Sequence, residues 1–328
     1  MIAQLRRFAS NPLIRPEQIG FVRASGAFNP GVSIDQASGR IVLLVRVFER
    51  DSRRSCLALA LSADGRVIDE IRDRTAVGRE APYEEWGVED PRITWLADEG
   101  RYAITYTGYS AQGPRVCLIT TDNLLAPERY RRHGPRLVGD NKNCVVFPRR
   151  VDGAYVILHR PMPRIVCTRV RSLESQWPEE GTPLVGPRPD TWRSARVGAG
   201  APPIRTDIGW LLPIHGATTI PEGNVYSMGW CVLDDADPSR VRYVSPAPAL
   251  APETAYEIEH RGIPQVDPAN FPTGVRVVFP QGLVEREGEL LVYYGAADVA
   301  VAGAAVRKAD LVASLAAAIA RGEGGEAL

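Results

Sequence analysis

The chain has 328 residues, 45% hydrophobic and 24% charged, and its 39 basic residues balance 39 acidic ones. A formal net charge of zero supplies no field to hold a polyanion, which argues against nucleic acid or an anionic membrane as partner; any phosphate must be met by locally placed cations. No stretch approaches the roughly 20 apolar residues needed to cross a bilayer. The start, MIAQLRRFASNPL, lacks the apolar run of a signal peptide, so the reading places the chain in the cytoplasm. Cys56, Cys117, Cys144, Cys167 and Cys231 are odd in number and mostly sit in apolar alternation such as CLALAL, which predicts buried free thiols. His133, His159, His215 and His260 show no ligand spacing with one another or with the cysteines, so no metal site is expected.

Along the chain, one unit recurs: a turn ending in glycine, then an alternating apolar strand. It reads ASGRIVLLVRVF, DEGRYAITYTGY, VDGAYVILHRP, TDIGWLLPIHGA and REGELLVYYGAAD, with glycines at Gly39, Gly100, Gly153, Gly209 and Gly288. The intervals, by subtraction, are 61, 53, 56 and 79 residues. A proline segment precedes each: FNPG at 28–31, EDPR at 89–92, FPRR at 147–150, APPI at 201–204 and FPQG at 279–282. Proline cannot donate a ladder hydrogen bond, so these are strand ends, edges or bulges. Several strands per unit at a period of roughly 50 to 60 residues match a propeller blade better than a solenoid coil or a β/α barrel. The reading is an all-β, five-bladed β-propeller forming one domain over residues 1–328, with the blades at about 11–308; a two-sheet sandwich is the alternative. The proline segments should then line a common central cavity. A C-terminal helix is predicted over 309–321, with Leu311, Leu315, Ala318 and Ile319 at helical spacing and Gly322 as its stop; GEGGEAL at 322–328 reads as a flexible tail.

Those segments carry the candidate chemistry: Asn29 in the first, Glu89, Asp90 and Arg92 in the second, Arg149 and Arg150 in the third, Gln281 in the fifth. A carboxylate beside a bent backbone near a propeller axis can be desolvated, which would raise its pKa and suit it to proton donation. Trp86, Tyr106, Tyr109, Trp210, Tyr226, Tyr293 and Tyr294 sit in or beside the repeats. Each alone reads as filling between blades; together they fit a carbohydrate cleft. Arg131, Arg132, His133 and Lys142 fall within RYRRHGPRLVGDNKN, and His159 and Arg160 end the third strand; these are either a solvated loop or means of holding a phosphate dianion. No Walker A loop, GxSxG elbow or HExxH helix is present, and the GxG of GAGAPP is followed by prolines where a nucleotide-binding helix would begin.

GVEDPRIT at 87–94, ITYTGYS at 104–110, NKNCVVFPR at 141–149, LHRP at 158–161, GAGAPPI at 198–204, GWLLPIHG at 209–216, YSMGWCVLD at 226–234, VFPQG and VYYGAAD at 292–298 together resemble glycoside hydrolase family 130, in order from about Asn11 to Asp310. The resemblance implies a five-bladed propeller acting on β-mannosides, most members being inverting phosphorylases that release α-mannose 1-phosphate and some being hydrolases. By position it implies Asp90 as general acid, acting through the mannose 3-hydroxyl, with Glu89 and Asp298 holding the mannose. Asn29, Arg46, Arg92 and Tyr109 complete the expected sugar site, and Arg132, Lys142, Arg160, His215 and Tyr226 the phosphate site. Inorganic phosphate is then a co-substrate, with no cofactor and no metal; a homo-oligomer is left open. An inverting hydrolase needs a second carboxylate about 6.5–9.5 Å from the acid, whereas phosphate is already an anionic nucleophile. A non-catalytic carbohydrate-binding propeller is the third reading. Cys144 and Val145, where relatives often carry Asp or Ala, and Trp230, where a small residue is expected, bear on acceptor choice.

Overall fold

Ile41–Glu49, IVLLVRVFE, pairs antiparallel with Ala24–Ile34 on one side and Ser55–Ser62 on the other, as its β-branched alternation requires. Glu70–Val77 adds the outer strand of this meander. In the computed structural model, which describes residues 1–258, 274–325 and 327–328, the same plan repeats along the chain. His260 lies outside the described residues. The second meander runs Gly87–Leu96, Arg101–Ser110, Gly113–Thr121, Arg131–Leu137, and the third Asn141–Val146, Tyr155–Pro161, Ile165–Val170, Thr182–Val185. The fourth runs Arg196–Ala199, Gly209–Ile220, Gly223–Leu233, Val241–Val244, with Ile204–Thr206 also on Gly209–Ile220. The last comprises Gly274–Arg286, Glu289–Ala296 and Ala300–Arg307, and its outer strand is Arg6–Arg7 from the opposite end of the chain. The fold is all-β; the Lys308–Ala320 helix buries Leu311, Leu315 and Ala318.

The five turn glycines all have positive φ, from 60° to 115°, where a side chain would be strained. Each meander shares an apolar cluster with the next, and the last shares one with the first: Val284, Leu291, Tyr293 and Val301 pack with Val32, Ile41, Leu43 and Val45.

The leading strands converge. Fully buried Gln281 donates from Nε2 to the carbonyls of Asn29 (2.6 Å) and Pro91 (2.9 Å), and Arg92 donates from Nε to Gly200 O at 2.8 Å. Four of the five proline segments therefore meet or lie beside the meeting point. The third does not: Phe147 packs on Trp210, while Arg149 pairs with Asp235 and Arg150 with Glu99 at the surface. In that meander the convergent residues are Asn141–Cys144, because the proline falls beyond the point where the strand leaves the centre. Near the C-terminus, Gly325 N–H donates to Val244 O and Ala327 O accepts from Gly186 N–H, both at 2.8 Å.

Candidate active site

Asn29 and Asp90 precede the prolines of FNPG and EDPR and adopt left-handed φ of 47° and 50°; Asn143 (54°) and Asp298 (53°) share this conformation. Asn and Asp tolerate it better than other side-chain-bearing residues, and such strain concentrates at functional sites. The bulges turn the polar side chains toward one another. Asn29 Nδ2 donates to Asp90 Oδ1 at 3.0 Å. Arg46 bridges both acids, reaching Asp90 Oδ1 at 3.2 Å and Glu89 Oε1 at 2.6 Å, and Arg92 donates to the Asp90 carbonyl at 2.9 Å. Asn29, Glu89, Asp90 and Arg92 are all buried.

The charges in this cluster reverse one expectation. Burial pushes the Asp90 carboxyl up, but Arg46, Arg92, the Asn29 hydrogen bond and Lys142 together outweigh it and hold Asp90 below its ordinary value. Asp298 takes the raised position instead: burial, joined by repulsion from Asp90 and Glu89, pushes it to about 7 against the pull of Arg46. Of the two aspartates, Asp298 therefore keeps its proton to higher pH than Asp90.

Cations stand within electrostatic reach of these acids. Lys142 and Arg160 are directly opposed in register on neighbouring strands, a like-charge pairing that is destabilising without an anion between. Lys142 Nζ lies 5.0 Å from the Tyr109 ring centroid. Arg160 donates from a terminal nitrogen to His215 Nε2 at 3.3 Å, which leaves His215 Nδ1 to carry the ring proton. Burial and then Arg160, Arg92 and Arg196 hold His215 neutral, well below its usual range. Arg160 Nε and His215 Nδ1 are buried without a hydrogen-bond partner, as is Asn143 Oδ1. Gly198 makes room for this: a Cβ there would stand 2.5 Å from His215 Cε1 and 3.2 Å from Asn143 Oδ1. Phe279 stacks on His215 at 4.2 Å between centroids and meets Tyr226 edge-on at 5.7 Å.

Asn29, Arg46, Glu89, Asp90 and Arg92 are thus linked by hydrogen bonds, Asp298 by its charge, and Lys142, Arg160, His215 and Tyr226 form a second group coupled to Asp90 by charge, with Tyr109 against Lys142. Arg132 is not among them. It lies on an outer strand, donating to both Glu84 oxygens (2.9 and 3.0 Å), to Gly78 O and to Glu80, because the fully buried Glu84 needs a counter-charge. His133 bonds Thr120, and His159 is held between Asn141 and Thr168 with burial pushing it down to about 4. Of the aromatics, Tyr106, Trp210, Tyr293 and Tyr294 are core; partly exposed Trp86 packs edge-to-face on Tyr109. Trp230 is fully buried in the cluster with Leu250 and Met228, so its bulk serves packing rather than acceptor choice; Val145 likewise lies in the core and Cys144 is buried. Sequence reasoning missed Arg196 and Asn143. All five cysteines are free and buried. Among the described residues no His, Cys, Asp and Glu cluster could hold a metal ion, and no helix is long and apolar enough to cross a membrane.

Buried carboxylates within electrostatic reach of Lys142 and Arg160 in an all-β chain are suited to acid-assisted transfer of a group onto an anion. A family model described as beta-1,4-mannooligosaccharide phosphorylase matches residues 6–316, and the chain belongs to this family, glycoside hydrolase family 130. It is 33% identical over 318 residues to the 1,2-beta-oligomannan phosphorylase of Thermoanaerobacter sp. (strain X514), covering 94% of this chain and 99% of that one. It is 29% identical to the beta-1,4-mannooligosaccharide phosphorylase of Ruminococcus albus, covering 93% and 89%. The beta-1,2-mannobiose phosphorylase of Listeria innocua, solved with beta-1,2-mannobiose, superposes with a TM-score of 0.81 at 27% identity over 95% of this chain and 99% of that one.

Proposed function

We propose that the protein is an inverting β-mannoside phosphorylase with the five meanders as blades of a closed propeller, cleaving β-1,2-linked mannosides with inorganic phosphate and releasing α-mannose 1-phosphate. The observation that carries this reading is the pair of unpartnered buried N–H groups, Arg160 Nε and His215 Nδ1, beside Lys142 and within electrostatic reach of Asp90. Buried donors without acceptors are costly, and an anion in the pocket satisfies them. The 1,2-linkage follows the 33%-identical oligomannan relative and the Listeria innocua structure, against 29% identity to the beta-1,4-mannooligosaccharide relative.

In this mechanism Asn29, Arg46, Glu89 and Asp298 hold the mannose, and phosphate lies on its opposite face against Lys142, Arg160, His215 and Tyr226. Asp90 delivers a proton through the mannose 3-hydroxyl to the departing glycosidic oxygen while a phosphate oxygen attacks the anomeric carbon, so configuration inverts. Phosphate binding supplies a second role. Its negative charge offsets Lys142 and Arg92, two of the cations that keep Asp90 ionised in the empty site, and so lets Asp90 acquire the proton it must donate. Phosphate is the co-substrate and no cofactor enters; the enzyme works in the cytoplasm on small molecules. Hydrolysis is disfavoured because the group facing Asp90 is cationic, whereas activating water calls for a base.

Supplying α-mannose 1-phosphate with a panel of sugar acceptors and assigning the product linkage by NMR tests the proposal. A β-1,2-mannosyl product with release of phosphate is expected; no coupling to any sugar would overturn it.

A further inference from the structure

Gln281 is the extra residue of a bulge in Gly274–Arg286: Pro280 faces Tyr294 and Gly282 faces Tyr293, so Gln281 has no counterpart on Glu289–Ala296. Bulges also stand at 29–30 and 90–91, where pairing skips from Phe28 to Gly31 and from Glu89 to Arg92. A bulge takes backbone groups out of the ladder, and when buried they need other partners. Gln281 supplies them. Its Nε2 donates to Asn29 O at 2.6 Å and to Pro91 O at 2.9 Å, so both amide hydrogens are used on the two bulges, and the side chain is fully buried. The bulges also abut directly, since a Cβ on Gly31 would stand 2.5 Å from Pro91 O. The next strand adds a spatial constraint. A Cβ on Gly295 would stand 1.9 Å from Asn29 Oδ1 and 3.0 Å from Asn29 N, so no side chain fits at 295 while the Asn29 carboxamide reaches Asp90 from Nδ2 at 3.0 Å.

We infer that Gln281 and Gly295 are positioning residues of the reaction: Gln281 fixes the backbone that carries Asn29 and Asp90, and Gly295 leaves the room in which the Asn29 carboxamide meets Asp90. This rests on the phosphorylase reading, in which Asp90 delivers the proton, and goes beyond it by naming what aims that donor. Asn29 and Asp90 both have left-handed φ, a conformation that persists only where the surroundings impose it. Arg46 holds the Asp90 carboxylate and Arg92 its carbonyl. Gln281 adds a fixed distance between the two bulges. A displacement of about 1 Å in a reacting group can cost about 10²-fold in rate, which is the scale on which such a tie acts.

Phosphorolysis by wild type, Gln281→Met, Gly295→Ala, Asn29→Gly and the two double variants carrying Asn29→Gly tests this, with phosphate and mannoside varied separately. Methionine matches glutamine in length without a donor, and glycine at position 29 keeps the left-handed backbone while removing the carboxamide. Gln281→Met and Gly295→Ala should each lower kcat by about 10- to 100-fold with KM for phosphate little changed. In the Asn29→Gly background each should cost only a few-fold more, because the contact they serve is already gone; independent effects would multiply in full. Should Gln281→Met not fold, Gly295→Ala carries the same test, since removing the Asn29 carboxamide removes its clash. Wild-type kcat in a folded single variant, or full multiplication in a double variant, would overturn the inference. Wild-type enzyme without phosphate-dependent turnover would instead sink the phosphorylase reading itself, so the two failures are distinguishable.

Discussion

Asp90 and Asp298 divide the proton chemistry of the carboxyl cluster, and the division is testable residue by residue. Asp90→Asn should lower kcat by about 10²–10⁴-fold, the usual contribution of a general acid, with circular dichroism unchanged; a loss of only a few-fold would move the role elsewhere. Asp298, raised to about 7, binds its proton more tightly folded than unfolded. Its contribution to stability is therefore full below the unfolded carboxyl range near 4 and is lost as pH rises through 7. Asp298→Asn removes that loss, so the Tm advantage of the variant over wild type should grow between about pH 4 and pH 7 and then level off; a constant difference would contradict the assignment. Glu89 and Asp90 were legible in the sequence because EDPR sits at a bend in a repeated unit. The direction of the Asp90 shift was not, since it depends on Arg46 and Lys142, 44 and 52 residues away by subtraction. Arg196 was missed for a related reason: nothing in SARVGAG marks its charge as buried.

At the scale of elements, a buried glutamate on a short turn recurs. In APYE at 81–84, Glu84 accepts from Arg132, from Tyr106 Oη at 2.6 Å and from the backbone N–H groups of Glu80 and Ala81. In TAYE at 254–257, Glu257 accepts from Arg7, from Tyr294 Oη at 2.8 Å and from the N–H groups of Glu253 and Thr254. Each clamp fastens a turn to the second strand of its meander, the second in one case and the last in the other. Arg132→Met should cost about 3–5 kcal/mol by leaving Glu84 without its counter-ion, read as a lower denaturation midpoint, with KM for phosphate unchanged in the folded enzyme. A raised KM for phosphate at full stability would restore Arg132 to the phosphate site. The sequence misled here because Arg131, Arg132 and Lys142 are close along the chain, whereas strand pairing sends Arg132 toward Glu84 and Lys142 toward Arg160. The turn glycines, by contrast, were readable because φ alone dictates them.

Over the whole molecule, the two ends of the chain meet in one sheet. Arg6–Arg7 pairs with Ala304–Ala305, and Leu5, Phe8, Leu13 and Ile14 enter the clusters that seal the last meander to its neighbours. Removing residues 1–14 should lower Tm by many degrees, since each buried apolar side chain of this size is worth about 1.5–3 kcal/mol; an unchanged melt would contradict this packing role. The repeat itself was legible as period and turn chemistry. The closing partner was not, because a two-residue strand carries no periodicity. The convergence of strands matters for function because it brings Asp90 and the cations Lys142 and Arg160, carried by different meanders, within electrostatic reach of one another. The most direct test is the rate of β-1,2-mannobiose cleavage as a function of phosphate concentration, with the product followed by NMR. A rate that saturates with phosphate and yields α-mannose 1-phosphate is expected; free mannose formed at a rate independent of phosphate would contradict the account.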